Sequence, residues 1–414
     1  MNPAQQRELF AQAIVTESGL EQRDEFAQTR FDSWLAFLRG LAGILPDDRQ
    51  SIVIIDEIPY LAAADAAFEG ALQAGWDRYL SRKPVLFIGV GSDLAMMELI
   101  NTYGRPFYQR AKEMILRPLT PAAVGRLIGL PPAEAFDAAL ITGGLPLICR
   151  EWHSGESVER YLKRTLADPV SALLVSAERS LAAEFPSDVQ ARRVVSTIGG
   201  SGARTFGTIA ALASEGAGPL SGTSLTKALG HLAEKRLIGV DTPLSTRAAP
   251  KDKRYSVTDS YLRFWLTFVQ PAMPLIERDR SDIVLRRWRE RWTTWRGEAI
   301  EPMVREAVER SLGATPWELS AAVGSWWPRS NNPQLDLVIA DKGPVATSIS
   351  CVGSIKWREK APFGDRDQRA LAGDALAVPG VTADTPLVAV ARTKVEAGGL
   401  AHSWTAEDLI EAWR

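Results

Sequence analysis

Apolar residues first follow a helical spacing along this chain and then gather into two short, uninterrupted runs. Residues 3–43 carry apolar side chains at near-helical intervals, which predicts helix. The runs at 52–55 and 85–91 have the length and β-branched content of buried strands, and residues 65–80 between them predict another helix. Strands that are apolar throughout and joined through a helix indicate a parallel sheet covered on both faces. The first block is therefore predicted to be α/β.

Polar residues follow both runs where each strand is predicted to end. Asp56 and Glu57 follow the first strand, and Ser92 and Asp93 follow the second. Ligands collect at the carboxyl ends of parallel strands, so we expect these side chains at one edge. In a nucleoside-triphosphate site, an Asp placed like Asp56 holds Mg²⁺, the next Glu orients the attacking water, and Ser92 could sense the terminal phosphate. The alternative is that the acids only start the next helix and complement its dipole.

A further pattern, at residues 185–272, orders helix, helix, turn, helix and hairpin, which is the arrangement of a winged helix. If this block contacts DNA, its basic and imidazole side chains would face phosphates. The candidates are Lys227, His231, Lys235, Lys253 and Arg254. The alternative is a protein–protein module in which these charges form a solvated face. The sequence leaves both interpretations open.

Arginine and tryptophan are interleaved in residues 280–298. Trp288, Trp292 and Trp295 are spaced by four and then three residues, so they share one face of a helix while most arginines lie elsewhere. Stacking on bases with phosphate contacts is one interpretation. The favoured one is an amphipathic connecting helix whose tryptophan stripe packs against a neighbouring domain.

The last block, from about residue 296, places an acid on a helix and then an acid and a lysine on consecutive strands: Glu301, Asp336 and Lys356. This order resembles the PD-(D/E)XK nucleases, in which the acids hold Mg²⁺ and the lysine positions or activates the attacking water. Ser354 stands where that pattern expects an acid, and a hydroxyl is a much weaker Mg²⁺ ligand than a carboxylate. We expect a nuclease-like fold with little or no nuclease activity; the alternative is a coincidental Asp and Lys in a hairpin.

Segments along most of the chain resemble the archaeal-type P-loop ATPases, relatives of the signal-transduction (STAND) and AAA+ ATPases. The segments are IVIIDEIPYL (52–61), similar to a Walker B strand, FIGVGSDLAMM (87–97), similar to a sensor strand, YGRPFYQR (103–110), TGGLP (142–146) and YSVTDSYLRFWLTFVQP (255–271). The resemblance implies ATP and Mg²⁺ as cofactors and catalytic roles for Asp56, Glu57 and Ser92. It further implies that Arg105 reads the γ-phosphate and that Asp56 and Asp336 are the metal ligands.

The resemblance also implies an α/β multidomain architecture. It divides the chain into a partial P-loop ATPase core with a parallel sheet (1–130), a helical lid (131–184), a winged helix (185–272), a linker helix (273–295) and a degenerate domain of the restriction-endonuclease type (296–414). ATP is then the expected ligand, and DNA is a candidate partner through the winged helix. A homo-oligomer is compatible with the sequence.

A phosphate-binding loop of the form G-x-x-x-x-G-K-S/T is expected one strand and one helix before Asp56, yet nothing before residue 51 resembles it. The early glycines are Gly19, Gly40 and Gly43. Without the backbone N–H groups and the lysine of that loop, the β- and γ-phosphates lose their main contacts. We expect either a chain that begins late or one that naturally lacks the loop, with nucleotide binding impaired in both cases.

Composition narrows the function classes. A formal charge of −2, with 46% hydrophobic and 24% charged residues, is typical of a globular protein without a global nucleic-acid-binding field. Cys149 and Cys351 lack a metal-ligand spacing, and no apolar run is long enough to cross a bilayer, so we expect a cytoplasmic protein. The leading hypothesis is a DNA-associated or regulatory ATPase. Its rival is a non-enzymatic DNA-binding or adaptor protein whose ATPase and nuclease sites are relics.

Overall fold

The chain forms two compact units, Met1–Leu116 and Arg117–Arg414, each with its own apolar core. The computed structural model describes residues 2–92, 94–186, 188–218, 220–249 and 251–413. Asp93, predicted to lie at a strand end, falls outside these ranges. No helix in the described part of the chain is long and apolar enough to span a membrane.

The elements of the first unit follow the order predicted from the sequence. They are α1 (Pro3–Glu17), α2 (Arg23–Gln28), α3 (Trp34–Ile44), β1 (Ser51–Ile55), α4 (Ile58–Ala64), α5 (Phe68–Arg78), β2 (Val85–Gly89) and α6 (Leu94–Ile100). The prediction of helix at 3–43 is confirmed as α1, α2 and α3. A capping box starts α1, because the side chains of Asn2 and Gln5 each accept a hydrogen bond from the other's backbone N–H.

β1 and β2 pair in parallel, as predicted, with Ile52 opposite Leu86 and Ile54 opposite Ile88. One face of this pair packs on the apolar core formed with α3 and α5. The other face is open to solvent, since Ile52 is 65% and Ile54 is 59% exposed. The prediction of a sheet covered on both faces is therefore wrong for the described residues, because the helices of this unit leave that side uncovered.

The second unit begins with helices and continues into a small antiparallel sheet. The helices are α7 (Pro121–Ile128), α8 (Pro132–Thr142), α9 (Pro146–Cys149), α10 (Val158–Thr165), α11 (Ala172–Glu184), α12 (Val189–Ile198), α13 (Phe206–Ala217) and α14 (Gly222–Glu234). The strands are β3 (Arg204–Thr205), β4 (Ile238–Asp241) and β5 (Arg254–Val257), in the order β3-β5-β4. This is the succession of helices and hairpin predicted for residues 185–272.

A mixed sheet forms the C-terminal part of the second unit. The helices that lead to it are α15 (Ser260–Phe264), α16 (Met273–Ile276), α17 (Ser281–Ala299) and α18 (Glu301–Ser311). The sheet and its helices comprise β6 (Ala322–Trp326), β7 (Leu335–Ala340), β8 (Ile349–Lys356), α19 (Asp365–Ala375), β9 (Leu387–Ala391), β10 (His402–Trp404) and α20 (Ala406–Ile410). The strand order is β10-β9-β8-β7-β6, antiparallel from β6 to β8 and parallel from β8 to β10.

The tryptophan stripe of α17 is part of the apolar core of the second unit. Trp288, Trp292 and Trp295 are buried, with successive ring centroids 5.3 and 5.6 Å apart. The Trp295 indole N–H donates to the Gly200 carbonyl at 2.7 Å. The prediction that this stripe packs is confirmed, and the apolar core that it joins belongs to the same compact unit.

The connection between β4 and β5 lies along the edge of the C-terminal sheet. The Leu244 N–H donates to the Ser325 carbonyl, and the Ala346 N–H donates to the Ser245 carbonyl, both at 2.9 Å. Leu244 is buried in the apolar core around β6 and β7. Residues 243–246, which we call the strap, therefore cover the edge of β6 and join the hairpin to the C-terminal sheet.

Candidate functional sites

Asp56, Glu57 and Ser92 meet where β1 and β2 end, as the sequence predicts. The ends are held together because the Val90 N–H donates to the Ile55 carbonyl at 2.9 Å. The Ser92 hydroxyl donates to a Glu57 carboxylate oxygen at 3.2 Å, and the Glu57 N–H donates to Asp56 Oδ1 at 2.9 Å. Both acids are exposed. Glu57 directly precedes α4 but its side chain makes no capping bond, so it is oriented toward Ser92 rather than toward the helix.

Arg105 is hydrogen-bonded to a residue outside the strand-end group of Asp56, Glu57 and Ser92. Its Nη2 contacts Glu69 Oε1 of α5 at 2.5 Å, and the Glu69 side chain is 12% exposed. Its Nε is buried and has no hydrogen-bond partner in the described part of the chain. The guanidinium predicted to read a γ-phosphate is thus paired with a carboxylate of its own unit.

The strand-end acids suit the Mg²⁺ ion of a Mg²⁺–nucleotide complex but not its phosphates. The Asp56 carboxylate is exposed and suited to hold Mg²⁺, directly or through water. The described residues before β1 contain no glycine-rich loop followed by a lysine, and the glycines there are Gly19, Gly40 and Gly43. Within the described first unit, the phosphates would therefore lack the backbone cradle that such a loop supplies.

In the C-terminal sheet, Asp336 of β7 and Ser354 of β8 lie side by side, next to the paired residues Leu337 and Gly353. The Ser354 hydroxyl and the Ile355 N–H each donate to Asp336 Oδ2 at 3.0 Å. The Lys356 ammonium lies 3.8 Å from the same oxygen. The structure thus brings the predicted nuclease-like residues of the two strands together.

Glu301, at the start of α18, completes the cluster. Arg305 lies one turn later on the helix, and its Nη1 contacts Glu301 Oε2 at 3.2 Å and donates to the Asp336 carbonyl at 2.9 Å. Burial raises the pKa of Glu301 to about 7, with the Asp336 charge adding to the shift and Arg305 opposing it.

This donor set does not fit Mg²⁺. Magnesium prefers carboxylate oxygens, yet here a hydroxyl stands where the nuclease pattern has an acid, Glu301 already contacts Arg305, and one oxygen of Asp336 accepts bonds from Ser354 and Ile355. The Lys356 ammonium adds a positive charge beside Asp336. Within the described chain, no group of three or more His, Cys, Asp or Glu side chains is placed to hold a metal ion.

Among the side chains predicted to contact DNA, some are paired with acids and others are exposed. His231 Nδ1 lies 3.1 Å from Asp188 Oδ2, and Lys235 Nζ lies 2.7 Å from Glu184 Oε2. Lys227 and Lys253 are exposed, and Lys227 lines a shallow depression at the start of α14. Of the five predicted side chains, Lys227 and Lys253 are thus the ones that are exposed.

Arg254 packs against the C-terminal part of the unit. Its guanidinium carbon lies 4.1 Å from the centroid of the Trp327 ring, and its terminal nitrogens donate to Gln334 at 2.9 Å and Asn331 at 2.7 Å. The Trp327 indole N–H in turn donates to the Asp252 carbonyl at 3.0 Å. Burial lowers the pKa of Arg254, opposed by the charges of Glu301 and Asp241. The hairpin arm therefore docks within the chain at this residue.

A buried ion cluster was not anticipated from the sequence. Asp137 of α8 accepts from Arg296 Nη1 of α17 at 2.8 Å, from Arg392 Nη2 at 3.0 Å and from the Trp357 indole N–H at 3.3 Å. Burial raises the pKa of Asp137, and the guanidinium groups oppose that shift. The available signal was one carboxylate inside the otherwise apolar run at 135–141.

Part of the chain matches a described protein family. Residues 265–369 match the family DUF234, described as archaea bacterial proteins of unknown function. An uncharacterized protein of Methanocaldococcus jannaschii is 22% identical over 370 residues, which are 86% of this chain and 76% of that protein. The match thus extends well beyond the segment covered by the family.

Solved structures similar to this chain include an ATPase and a nucleotide-bound ORC2 protein. A Walker-type ATPase of Pyrococcus abyssi is 18% identical, with 64% of this chain and 75% of that chain covered and a TM-score of 0.43. The ORC2 protein of Aeropyrum pernix, in ADPNP and ADP complexes, is 14% identical, with 68% and 75% covered and a TM-score of 0.39. Both TM-scores are below 0.5, too low to establish a shared fold.

Proposed function

We propose that the nuclease-like cluster of this chain is a structural ion-pair site and not a metal-dependent nuclease centre. The observation that carries the proposal is the Asp336 carboxylate, which accepts the Ser354 hydroxyl and the Ile355 N–H at 3.0 Å each. A catalytic carboxylate must offer its oxygens to a metal ion or to water. Here one oxygen is committed to the protein, and the neighbouring Lys356 balances the charge.

The remaining acid of the cluster supports the same structural role. Glu301 contacts Arg305 at 3.2 Å, and Arg305 in turn donates to the Asp336 carbonyl at 2.9 Å. The cluster is therefore better suited to fasten α18 to β7 and β8 than to activate water.

Cleavage of supercoiled plasmid in Mg²⁺ tests this proposal. We expect no Mg²⁺-dependent cutting above the buffer control, for either the wild type or Asp336→Ala. Asp336→Asn retains an acceptor oxygen, and we expect it to be closer to the wild type in stability than the alanine variant. Robust cutting by the wild type that Asp336→Ala abolishes would overturn the structural assignment.

A second candidate function is weak binding of Mg²⁺–ATP at the ends of β1 and β2. The hydrogen bond between Ser92 and Glu57 favours it, because it aligns polar groups of neighbouring parallel strands at one edge. Calorimetric titration of Mg²⁺–ATP into the wild type and Asp56→Ala decides the question. Saturable heat that is lost in Asp56→Ala supports nucleotide binding, whereas no heat in the wild type removes this candidate.

A further inference from the structure

Two enclosed arginines share one buried carboxylate in the second unit. Asp137 Oδ2 accepts from Arg296 Nη1 at 2.8 Å and from Arg392 Nη2 at 3.0 Å. The Arg296 side chain is 0% exposed and the Arg392 side chain 11%. Asp137 alone therefore leaves the two guanidinium groups with an excess of positive charge. Because a buried charge without a counter-charge is costly, this part of the fold calls for a second anion.

Glu359 supplies that second anion from the surface. Its Oε1 lies 3.1 Å from Arg296 Nη1, and its side chain is 53% exposed. It belongs to the connection between β8 and α19 and lies in neither a helix nor a strand. A side chain so exposed can rotate into solvent without any change in the sheet. That rotation would release the Nη1 hydrogen and open Arg296 to an anion from solution.

Glu359 leaves hydrogen-bond donors of the two arginines unused. It contacts Arg296 through one oxygen, whereas a guanidinium edge can bind both oxygens of a carboxylate. Arg296 Nη2, on that same edge, is buried and has no acceptor among the described residues. The same holds for Arg296 Nε and Arg392 Nε. A carboxylate that is not tied to the backbone is free to take the orientation in which it accepts from Nη1 and Nη2 together.

We propose that Arg296 and Arg392 form a binding site for a small carboxylate, and that Glu359 occupies this site until such an anion replaces it. The size of the ligand follows from burial, because the place that Glu359 vacates beside an enclosed guanidinium is that of one carboxyl group. Formate and acetate match that size, whereas an aromatic acid such as benzoate does not. A tethered group competes at an effective concentration on the order of millimolar, so exchange requires free anion at that level or above.

Rescue of Glu359→Ala by formate tests this site. The variant lacks the resident carboxylate, so we expect its melting temperature to be lower than that of the wild type. Sodium formate at about 100 mM should raise the melting temperature of the variant by about 2 °C or more relative to the same concentration of sodium chloride. The wild type should respond clearly less, because Glu359 already fills the site. Acetate should act like formate, and benzoate should act like chloride.

Glu290→Ala is the matched control, because it removes an exposed acid from α17, the helix that carries Arg296. It should respond to formate like the wild type. The proposal is overturned if Glu359→Ala gains nothing from formate over chloride, or if benzoate or Glu290→Ala gives the same rise.

Broadening of the NMR line of isotope-labelled formate gives a second measurement that does not rely on unfolding. We expect Glu359→Ala to broaden the line more than the wild type does, and excess acetate, but not benzoate, to reverse the effect. Equal broadening by the two proteins, or none by either, would contradict an exchangeable site at Arg296.

Discussion

At the scale of single residues, Ser354 decides what the nuclease-like cluster can do. Its hydroxyl donates to Asp336, where an acid would instead compete for the same space and repel it. We predict that Ser354→Asp lowers the free energy of unfolding by about 1–3 kcal/mol without metal, because it places like charges together and removes a buried donor. Added Mg²⁺ should reverse part of that loss.

Thermal unfolding of Ser354→Asp with and without Mg²⁺ measures this effect. Ser354→Ala is the control, since it loses the hydrogen bond but gains no ligand. We expect the alanine variant to be destabilised by about 1 kcal/mol and to be insensitive to Mg²⁺. Equal changes in melting temperature on adding Mg²⁺ to the two variants would show that the added carboxylate does not create a metal site.

Glu301 makes the free energy of unfolding depend on pH in the direction opposite to that of an acid whose pKa is lowered by folding. Its pKa is raised from 4.5 to about 7 in the folded chain, so the folded state holds the proton more tightly than the unfolded state. The stabilisation that this proton gives to the folded state is present below pH 4.5 and is lost as the pH rises through about 7. We predict a loss on the order of 2–3 kcal/mol between these limits.

Urea unfolding at pH 5 and pH 7.5 measures that loss. Glu301→Gln stays neutral at both values and should remove most of the decrease. Glu306→Gln, on the exposed side of the same helix, is the matched control and should retain it. An identical pH dependence in the wild type and Glu301→Gln would show that other groups are responsible.

At the scale of elements, α14 and the hairpin arm each leave one predicted phosphate contact exposed. Arg254 of the arm is packed on Trp327, whereas Lys227 of α14 and Lys253 of the arm are exposed. If the chain binds duplex DNA, Lys227→Glu should weaken binding uniformly across sequences and reduce the salt dependence by about one unit. Lys163→Glu, an exposed change on α10, should have a smaller effect.

Fluorescence anisotropy of a labelled duplex at several salt concentrations provides the measurement. Equal losses in Lys227→Glu and Lys163→Glu would indicate a diffuse charge effect rather than contact by α14. No binding by the wild type at low salt would remove DNA as a partner of this block.

The strands and helices of the first unit follow from the sequence because hydrophobic spacing reports local structure directly. The parallel pairing of β1 and β2 follows from the strand–helix–strand order, because a helical crossover joins parallel strands. The exposed face of the β1–β2 pair could not be predicted in this way, because a run of apolar residues does not show which other elements cover the strands. The docking of Arg254 on Trp327 likewise depends on tertiary packing, which a run of basic residues cannot reveal.

The nuclease-like residues were identifiable because each stands at a fixed place in a helix–strand–strand order. Asp336, Ser354 and Lys356 are brought together by simple pairing of β7 with β8. The Asp137–Arg296 contact joins residues 159 positions apart, and no sequence pattern links the two. Buried ion pairs of this kind become visible only when the fold is known.

At the scale of the whole molecule, the Asp137 cluster ties the helical part of the second unit to its C-terminal sheet. Arg296 is fully buried and Arg392 nearly so. Removing Asp137 would leave Arg392 without this carboxylate and Arg296 with the exposed Glu359 as its remaining acidic contact, so we predict that Asp137→Ala lowers the free energy of unfolding by about 3–5 kcal/mol. Glu159→Ala, which removes the exposed partner of Arg289, should change stability little.

Urea unfolding monitored by tryptophan fluorescence compares these variants, since Trp357 itself donates to Asp137. Similar midpoints for Asp137→Ala and the wild type would mean that the cluster is energetically neutral. A large loss that Asp137→Asn partly restores would show that the hydrogen bonds matter beside the charge.

The most direct test of the structural role proposed for the nuclease-like cluster is the effect of Mg²⁺ on the thermal unfolding of the wild type. A metal that binds only the folded chain must raise its melting temperature. Because Asp336 is held by Ser354 and Ile355, we predict that the melting temperature is the same with millimolar Mg²⁺ and with chelator. A rise in Mg²⁺ that Asp336→Ala abolishes would contradict the structural role assigned to this cluster.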